Sequence, residues 1–388
     1  MTIHRKTHTV ETPHRIVIVG GGAAGLELAT RLGNGVGKEG RAQVVLVDRN
    51  PAHFWKPLLH EVASGHIDAS SHQIEYAAHA KWNHYRFERG GLRSIDRERR
   101  EIVVDATCDA DGQILLQRRS IPFDTLVLAL GSVTNFFSVP GAEDHALTLE
   151  TVDQAEGFRR RLLSSLLRAS HAQQSLPQSV KEPVCVTVIG AGATGVELSA
   201  SLRSLAQMLH DYHLPSLDPA RDVRIRLLEG APRVLPALPE RISARAHDVL
   251  TSLGVEVLTD TRVRSVEAES VVVGVDHALK SDITIWAAGV EGPPVLKTLE
   301  GLKLNRLGQV FVDRMLQVDA ASGIYAMGDC AACSARGDDA LVPPRAQAAW
   351  QQAVYLHDVL TRRLKHQPVP LFSYRDQGTL ISFGHAGA

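Results

Sequence analysis

A chain of 388 residues, 44% hydrophobic and 22% charged, is long enough for two ordinary domains and has the composition of a globular protein with real cores. A formal net charge of −1 argues against nucleic acid as the main partner, because phosphate binding usually brings a basic excess. No run approaches the roughly 18–20 apolar residues of a transmembrane helix, and "MTIHRKTHTVETPHR" at the N-terminus has no apolar stretch of the secretory kind. The four cysteines, Cys108, Cys185, Cys330 and Cys333, are too few for a disulfide scaffold, so a cytoplasmic, reducing setting is expected.

In chain order, the first apolar run is Ile16 to Val19, followed by Gly20, Gly21, Gly22, Ala23, Ala24 and Gly25 and a helical stretch to about Leu32. A second strand, Val44 to Val47, ends in Asp48. "FDTLVLALGS" (123–132) supplies a later buried strand ending at Gly131. The same plan then repeats. Val186 to Ile189 leads into Gly190, Gly192 and Gly195 and a helix to about His210; "VRIRLLEG" (223–230) ends in Glu229; "ITIWAAGV" (283–290) carries Ala288 and Gly289. Val/Ile/Leu runs alternating with helical segments imply parallel sheets covered on both faces. Two copies imply two nucleotide-binding domains of the Rossmann type in an α/β chain. The polar stretches 168–183 and 210–222 read as a linker and a long connection. The strand-rich stretch 308–331 is placed back in the first domain, so the second is an insertion. The expected boundaries are 13–150, 151–305 and 306–388.

A lone G-x-G-x-x-G is weak evidence. Its glycines permit a tight turn, close backbone approach to a pyrophosphate, and close packing of helix on strand. The helix N-terminus then offers N–H groups and partial positive charge to the phosphates. Here each copy lies between a strand and a helix and is followed, 23 and 34 residues after its third glycine, by an acid at a strand end. Asp48 and Glu229 would accept hydrogen bonds from ribose hydroxyls. An acid there disfavours a 2′-phosphate, so the second site should prefer NADH to NADPH; Arg233, four residues on, slightly weakens that preference. Two dinucleotides suggest a flavin on the first domain and a nicotinamide on the second, with their rings brought face to face. Gly328-Asp329 after "IYA" supports this, since such a pair holds the flavin's ribityl–phosphate arm in two-dinucleotide flavoproteins.

Many chains of this plan place a redox cysteine pair after the first domain's second strand. Here "DRNPAHFWKPLLHEVASG" (48–65) contains no cysteine, which disfavours a dithiol or single-cysteine peroxide reductase. Cys330 and Cys333 form a C-x-x-C without the second ligand pair of a zinc site, so no metal is expected and the pair reads as residues packing on the sheet. In "LVPPRAQAAWQQAVYLHDVLTRRL" (341–364) the prolines suit a helix start. Ala346, Ala349, Trp350, Ala353, Val354, His357 and Leu360 form a stripe expected to be buried. Gln347 and Gln351 share another face and would either line a pocket for a quinone-like acceptor or be solvated. A helix N-terminus aimed at the flavin would stabilise the negative charge of its reduced form.

These stretches resemble the type II NADH:quinone oxidoreductases, particularly the bacterial form. The likeness runs from about Pro13 to Ile381 and rests on "HFWKPLLHEVASG" (53–65), "DTLVLALGS" (124–132), "GATGVELSA" (192–200), "RVLPALP" (233–239), "WAAGV" (286–290), "IYAMGDCA" (324–331) and "VPPRAQAAWQQA" (342–353). The resemblance implies FAD, NADH as donor and a ubiquinone- or menaquinone-class acceptor, without proton pumping. It implies that Gly20 to Gly25 bind FAD phosphates, that Asp48 and Arg49 sit at the adenosine ribose, and that Leu92 makes a backbone contact near the adenine. It implies that Asp329, Ala346 and Gln347 hold the ribityl arm and ring, and that Gln347 and Gln351 form the quinone site. Lys56, in the first of these stretches, is a further candidate cofactor contact. Glu197 matches the family's glutamate of the electron–proton step; the bland reading is an acid favoured in a helix's first turn, with Glu27 at the equivalent place of the first copy. Family members usually continue for several dozen residues with amphipathic helices lying on the membrane. This chain stops at Ala388, so the expectation is a form without that tail, cytoplasmic or peripheral on the cytoplasmic face of the inner membrane, with a homodimer as one expected assembly. A soluble NADH diaphorase or oxidase, and an NADH-sensing flavoprotein with little turnover, remain as alternatives.

Overall fold

The computed structural model describes residues 13–173, 182–211, 218–320, 322–335 and 340–384. These fall into two compact units. One holds the described residues up to His53, Ile74–Ser132 and Gly292–Asp376; the other holds Phe54–Gln73, Val133–Glu291 and the described residues from Gln377.

In the first unit the strand His14–Val19 alternates its side chains between two apolar layers. Ile16 and Ile18 pack with Leu28, Leu32 and Leu356, while Val17 and Val19 pack with Leu126, Leu128 and Ile102. A strand buried on both faces suits the middle of a parallel sheet. The sheet runs Ile324–Ala326, Thr125–Leu128, His14–Val19, Ala42–Asp48, Arg86–Arg89, and every pairing is parallel. The strand Ile324–Ala326, far along the chain, closes the sheet beside Thr125–Leu128, as the return of the chain to its first domain requires. Each fully buried aliphatic side chain contributes about 1.5–3 kcal/mol.

The second unit repeats the order: Ala146–Leu147, Ile283–Trp286, Val184–Ile189, Val223–Leu228, Val255–Leu258, again all parallel. Its core joins Val186, Val188, Ile225 and Leu227 to Phe158 and Leu162 of the helix Val152–Gln173. That helix continues through 168–173, where polar composition suggests a linker; the remainder of that stretch to 181, and 212–217 of the second expected connection, lie outside the described residues. Each unit also carries a three-stranded antiparallel sheet, Leu92–Asp96 with Glu101–Val104 and Arg119–Pro122 in the first, Val263–Val266 with Ser270–Val273 and His277–Lys280 in the second. Among the described residues no helix is long and apolar enough to cross a membrane.

Candidate functional site

The two glycine turns are built alike. Gly20 has φ +105° and Gly190 φ +100°, a region that glycine enters without strain. The third glycine of each turn lies under the first: a Cβ on Gly25 would collide with the Gly20 carbonyl oxygen, and one on Gly195 with the Gly190 carbonyl oxygen. The middle glycines face open space, since a Cβ on Gly22 or Gly192 would meet nothing within 4 Å. Those are the faces a pyrophosphate would approach, above the helices Ala23–Leu32 and Ala193–Asp211. Gly22, the N-cap of the first helix, brings no side chain to its free N–H groups.

The acids do more than the ribose role expected of them. Asp48 Oδ2 accepts the Gly21 N–H at 2.6 Å and Oδ1 the Asn50 N–H at 2.8 Å. Glu229 Oε2 accepts the Ala191 N–H at 2.7 Å and Oε1 the Ala231 N–H at 2.9 Å. Each carboxylate therefore locks the second residue of its own turn, and its remaining lone pairs are left for a sugar hydroxyl. In the first unit the lock is doubled, because Tyr76 Oη donates to the Gly21 carbonyl at 2.6 Å and His53 Nδ1 donates to it at 2.9 Å. Burial pushes the Tyr76 hydroxyl pKa up and lowers that of His53. Arg233 spends its guanidinium on the Leu238 and Pro236 carbonyls, both at 2.9 Å. These N–H groups are thus engaged within the arginine's own segment.

Around the first turn, Gly131 has φ +69° with open space beside it, and Ser132 Oγ donates to Asp329 Oδ2 at 2.9 Å. Gln309 Nε2 donates to the Asp329 carbonyl at 2.8 Å. Gly328 is seated against Ala24: a Cβ there would lie 3.9 Å from the Ala24 Cβ. Its N–H donates to Gln352 Oε1 at 2.6 Å. The structure thus brings Gly20–Gly25, Gly131 and Asp329 to one end of the first sheet, with Asp48 closing the turn. Leu92 is buried at the start of its strand, whereas Arg49 and, in the second unit, Lys56 are exposed. Around the second turn, Gly190 lies against Ala288, Gly289 has φ +73°, and the Trp286 indole donates to the Asn135 and Ala288 carbonyls, each at 2.9 Å.

The helix Ala346–Arg363 departs from its expected stripe. Its buried residues are Ala348, Ala349, Gln352, Ala353, Leu356, Val359 and Leu360, whereas Trp350 is 43% exposed and Ala346, Val354 and His357 are only partly buried. The prolines precede the N-cap Arg345 rather than opening the helix. Gln347, Gln351 and Tyr355, four residues apart, hold the returning segment 370–376. Gln347 Nε2 donates to Asp376 Oδ1 at 3.3 Å and Tyr355 Oη to the Pro370 carbonyl at 2.7 Å. Gln351 donates to the Arg375 carbonyl at 2.7 Å and accepts the Arg375 N–H at 3.0 Å.

Glu197 is the fifth residue of Ala193–Asp211, beyond the first turn, and its carboxyl is mostly buried. Oε1 accepts the Ser382 N–H at 3.1 Å, and Oε2 lies 4.0 Å from His60 Nδ1. Burial raises its pKa, with the Ser382 N–H and His60 pulling it down and Glu61 pushing it up. His60, Glu61, Gln352, Ser132 and Gln309 escaped the sequence reading, although the first two stand inside the quoted stretch 53–65 and Gln352 inside 342–353. Cys330 and Cys333 sit as packing residues, whereas Cys108 is exposed. Cys330 and Cys333 are free, buried in different apolar layers, and each is pushed up to about 11 by burial. Among the described residues no group of three or more His, Cys, Asp or Glu could hold a metal.

Known proteins resemble this chain in sequence and in fold. Residues 14–353 match the family described as pyridine nucleotide-disulphide oxidoreductase. A type II NADH:quinone oxidoreductase of Haemophilus influenzae is 37% identical over 379 residues, 95% of this chain and 85% of that protein. One from Staphylococcus aureus is 26% identical over 375 residues, 95% of this chain and 87% of its own length. The solved structure of NDH2 from Plasmodium falciparum in complex with NADH shares the fold at a TM-score of 0.81 and 20% identity, covering 96% of this chain and 88% of that one. The chain belongs to the pyridine nucleotide-disulphide oxidoreductases and, within them, to the type II NADH:quinone oxidoreductases.

Proposed function

We propose that this chain transfers two electrons from NADH to a membrane quinone through bound FAD, without pumping protons. The observation that carries the reading is the pair of glycine turns, each locked by its own acid and each open at its middle glycine, in a chain of this family. The residues fit FAD at the first turn. The Gly20–Gly25 backbone and the N-terminus of Ala23–Leu32 would hold the pyrophosphate, with Asp48 and Arg49 at the ribose and Leu92 near the adenine. Asp329, oriented by Ser132 and Gln309, would hold the ribityl arm, with Gly131, Ala346 and Gln347 toward the ring. NADH would lie on Gly190, Gly192 and Gly195, with Glu229 at its ribose and Ala288 and Gly289 beside it. Lys56 is a further cofactor contact. FAD, when bound, supplies the two-electron chemistry that joins donor to acceptor. Glu197 holds a proton for the quinone, its burial favouring the protonated form. Gln347 and Gln351 contact the quinone once the segment 370–376 yields their amides. The protein acts as a peripheral protein on the cytoplasmic face of the inner membrane, with a homodimer as the assembly to test.

The hold of Gln347 and Gln351 on 375–376 favours a second reading, an NADH diaphorase serving soluble acceptors. Anaerobic mixing of the purified yellow protein with NADH, then with a soluble short-chain ubiquinone or a dye, separates the two. Rapid bleaching followed by quinone-dependent recovery of the yellow band is expected. Recovery with the dye alone selects the diaphorase. Colourless protein that cannot be reconstituted with FAD ends both.

A further inference from the structure

The reaction NADH + H⁺ + quinone → NAD⁺ + quinol consumes one proton that NADH does not bring. Two electrons and one proton equivalent leave NADH as hydride, whereas the quinol departs with two protons. A buried carboxyl that gives up a proton at each turnover must be reloaded from water.

Glu197 has a chain of titratable neighbours in its own unit. His60 Nδ1 lies 4.0 Å from Glu197 Oε2, and His60 Nε2 lies 3.5 Å from Glu61 Oε1. Glu61 Oε2 lies 3.6 Å from His66 Nδ1, which shares a hydrogen bond of 2.6 Å with Ser64 Oγ. Of Glu197, His60 and Glu61, His60 is the most buried and Glu61 the most exposed: the side chains are 17% exposed at Glu197, 6% at His60 and 22% at Glu61. His60 Nε2 is buried and has no hydrogen-bond partner. An imidazole so placed is costly to keep, and it stands between two carboxylates with one ring nitrogen toward each. It can accept a proton on one nitrogen and release one from the other.

We propose that Glu61 and His60 form a proton relay that reloads Glu197 with the one proton the quinone takes from solvent. The proposal rests on the reading of Glu197 as the proton donor. A proton passes from water to Glu61, from Glu61 to His60 Nε2 while His60 releases its Nδ1 proton to Glu197, and from Glu197 to the quinone oxygen; no electrons move through the relay. The gaps of 3.5 and 4.0 Å close by small side-chain rotations. His60 and Glu61 are positioning residues, because they act through Glu197. Other elements against Glu197 add little charge. The segment 377–384 brings the Ser382 N–H and no titratable side chain among its described residues. The strands Val184–Ile189 and Val223–Leu228 and helix Glu240–Ser252 share the apolar core of the Glu197 helix through Val186, Val188, Leu227, Ala246 and Leu250; of their charged residues, Arg224, Glu240, Arg241, Arg245 and Asp248 are exposed, His247 is partly buried and Arg226 pairs with Glu256. Arg159 of helix Val152–Gln173 stands beside Gly65.

The test uses the FAD-loaded protein with His60→Gln, Glu61→Gln and Glu197→Gln. The infrared band of a protonated carboxyl, assigned by its loss in Glu197→Gln, is followed against pH in the resting enzyme. His60→Gln should move its midpoint up and Glu61→Gln should move it down, because His60 favours the ionised carboxylate and Glu61 opposes it. In stopped flow, bleaching by NADH should be unchanged in both variants, while reoxidation by a soluble short-chain ubiquinone slows about 10²-fold above neutral pH. Added imidazole should restore the rate in His60→Ala. Should His60 variants misfold, Glu61→Gln, at the more exposed end, tests the relay alone. A midpoint and a pH profile like wild type in His60→Gln or Glu61→Gln, beside a slow Glu197→Gln, overturn the relay and leave Glu197 standing. Wild-type reoxidation in Glu197→Gln overturns the reading of Glu197 itself, and the relay with it.

Discussion

The two turn regions agree down to single hydrogen bonds and part company at the fifth residue of the following helix. Both units place an acid at the end of the second strand, and both acids take the N–H of the residue after the first glycine. Glu27 and Glu197 then occupy the same position with opposite fates. Glu27 pairs with Arg31 at 2.6 Å, one helical turn on, with both side chains partly exposed. Glu197 has Ser201 one turn on where Glu27 has Arg31, and sits beside His60 and Glu61 with its pKa raised by burial. The copies share the acid-locked turn and differ in the surroundings of this glutamate. If the proposed roles hold, position in the repeated plan predicts binding, while the neighbours decide chemistry.

The largest effects should come from what the copies share. Gly25→Ala and Gly195→Ala each drive a methyl group into a backbone carbonyl that cannot rotate away, a clash of the overpacking kind costing roughly 1–3 kcal/mol or more. If the units work as assigned, Gly25→Ala yields protein that loses its flavin on gel filtration. Gly195→Ala should stay yellow but fail to bleach with NADH. Loss of flavin in both variants, read by absorbance at the flavin band, would break the division of labour.

A smaller effect is expected at the acids. Asn in place of Asp48 or Gln in place of Glu229 keeps one acceptor and turns an NH₂ toward the second N–H, leaving a partly buried donor unmet at about 1–3 kcal/mol. Glu229→Gln should raise the KM for NADH, leave kcat near wild type, and narrow the gap to NADPH. Asp48→Asn should leave the NADH/NADPH ratio untouched and weaken flavin retention. A ratio of kcat/KM values for the two nucleotides that stays at the wild-type level in Glu229→Gln would show that the acid serves its turn alone.

Most of the frame was legible because it follows from strong local signals: continuous apolar runs, glycines that a backbone approach demands, and acids at strand ends. Strands Ala42–Asp48 and Val223–Leu228 end within two residues of the expected positions. What escaped has a physical reason in each case. The apolar stripe of Ala346–Arg363 was misplaced because Gln352, polar by composition, is buried to satisfy the Gly328 N–H, a partner that only tertiary structure supplies. The pairing of Gln347 and Gln351 with 375–376 is equally distant in sequence, so no periodicity signals it. The His60–Glu61 dipeptide reads as ordinary helix polarity until the short helix Leu59–Ser64 is seen against Ala193–Asp211.

The smallest effect separates Glu27 from Glu197 by stability alone. Glu27→Gln removes a half-exposed i,i+4 pair worth about 0.3–0.5 kcal/mol, and the loss should fade with added salt. For Glu197 the sign runs the other way. Burial raises its pKa in the folded chain above the ordinary carboxylate value, so the fold keeps a proton that the unfolded chain has already released. Stability from this group is whole at low pH and falls as pH climbs from the ordinary carboxylate range through the raised folded value. Glu197→Gln, which cannot ionise, should flatten the decline of Tm across that window and gain on wild type at its upper end. A Tm difference between Glu197→Gln and wild type that does not change with pH would mean that the carboxyl is as well solvated as Glu27, and the contrast between the two copies would reduce to packing.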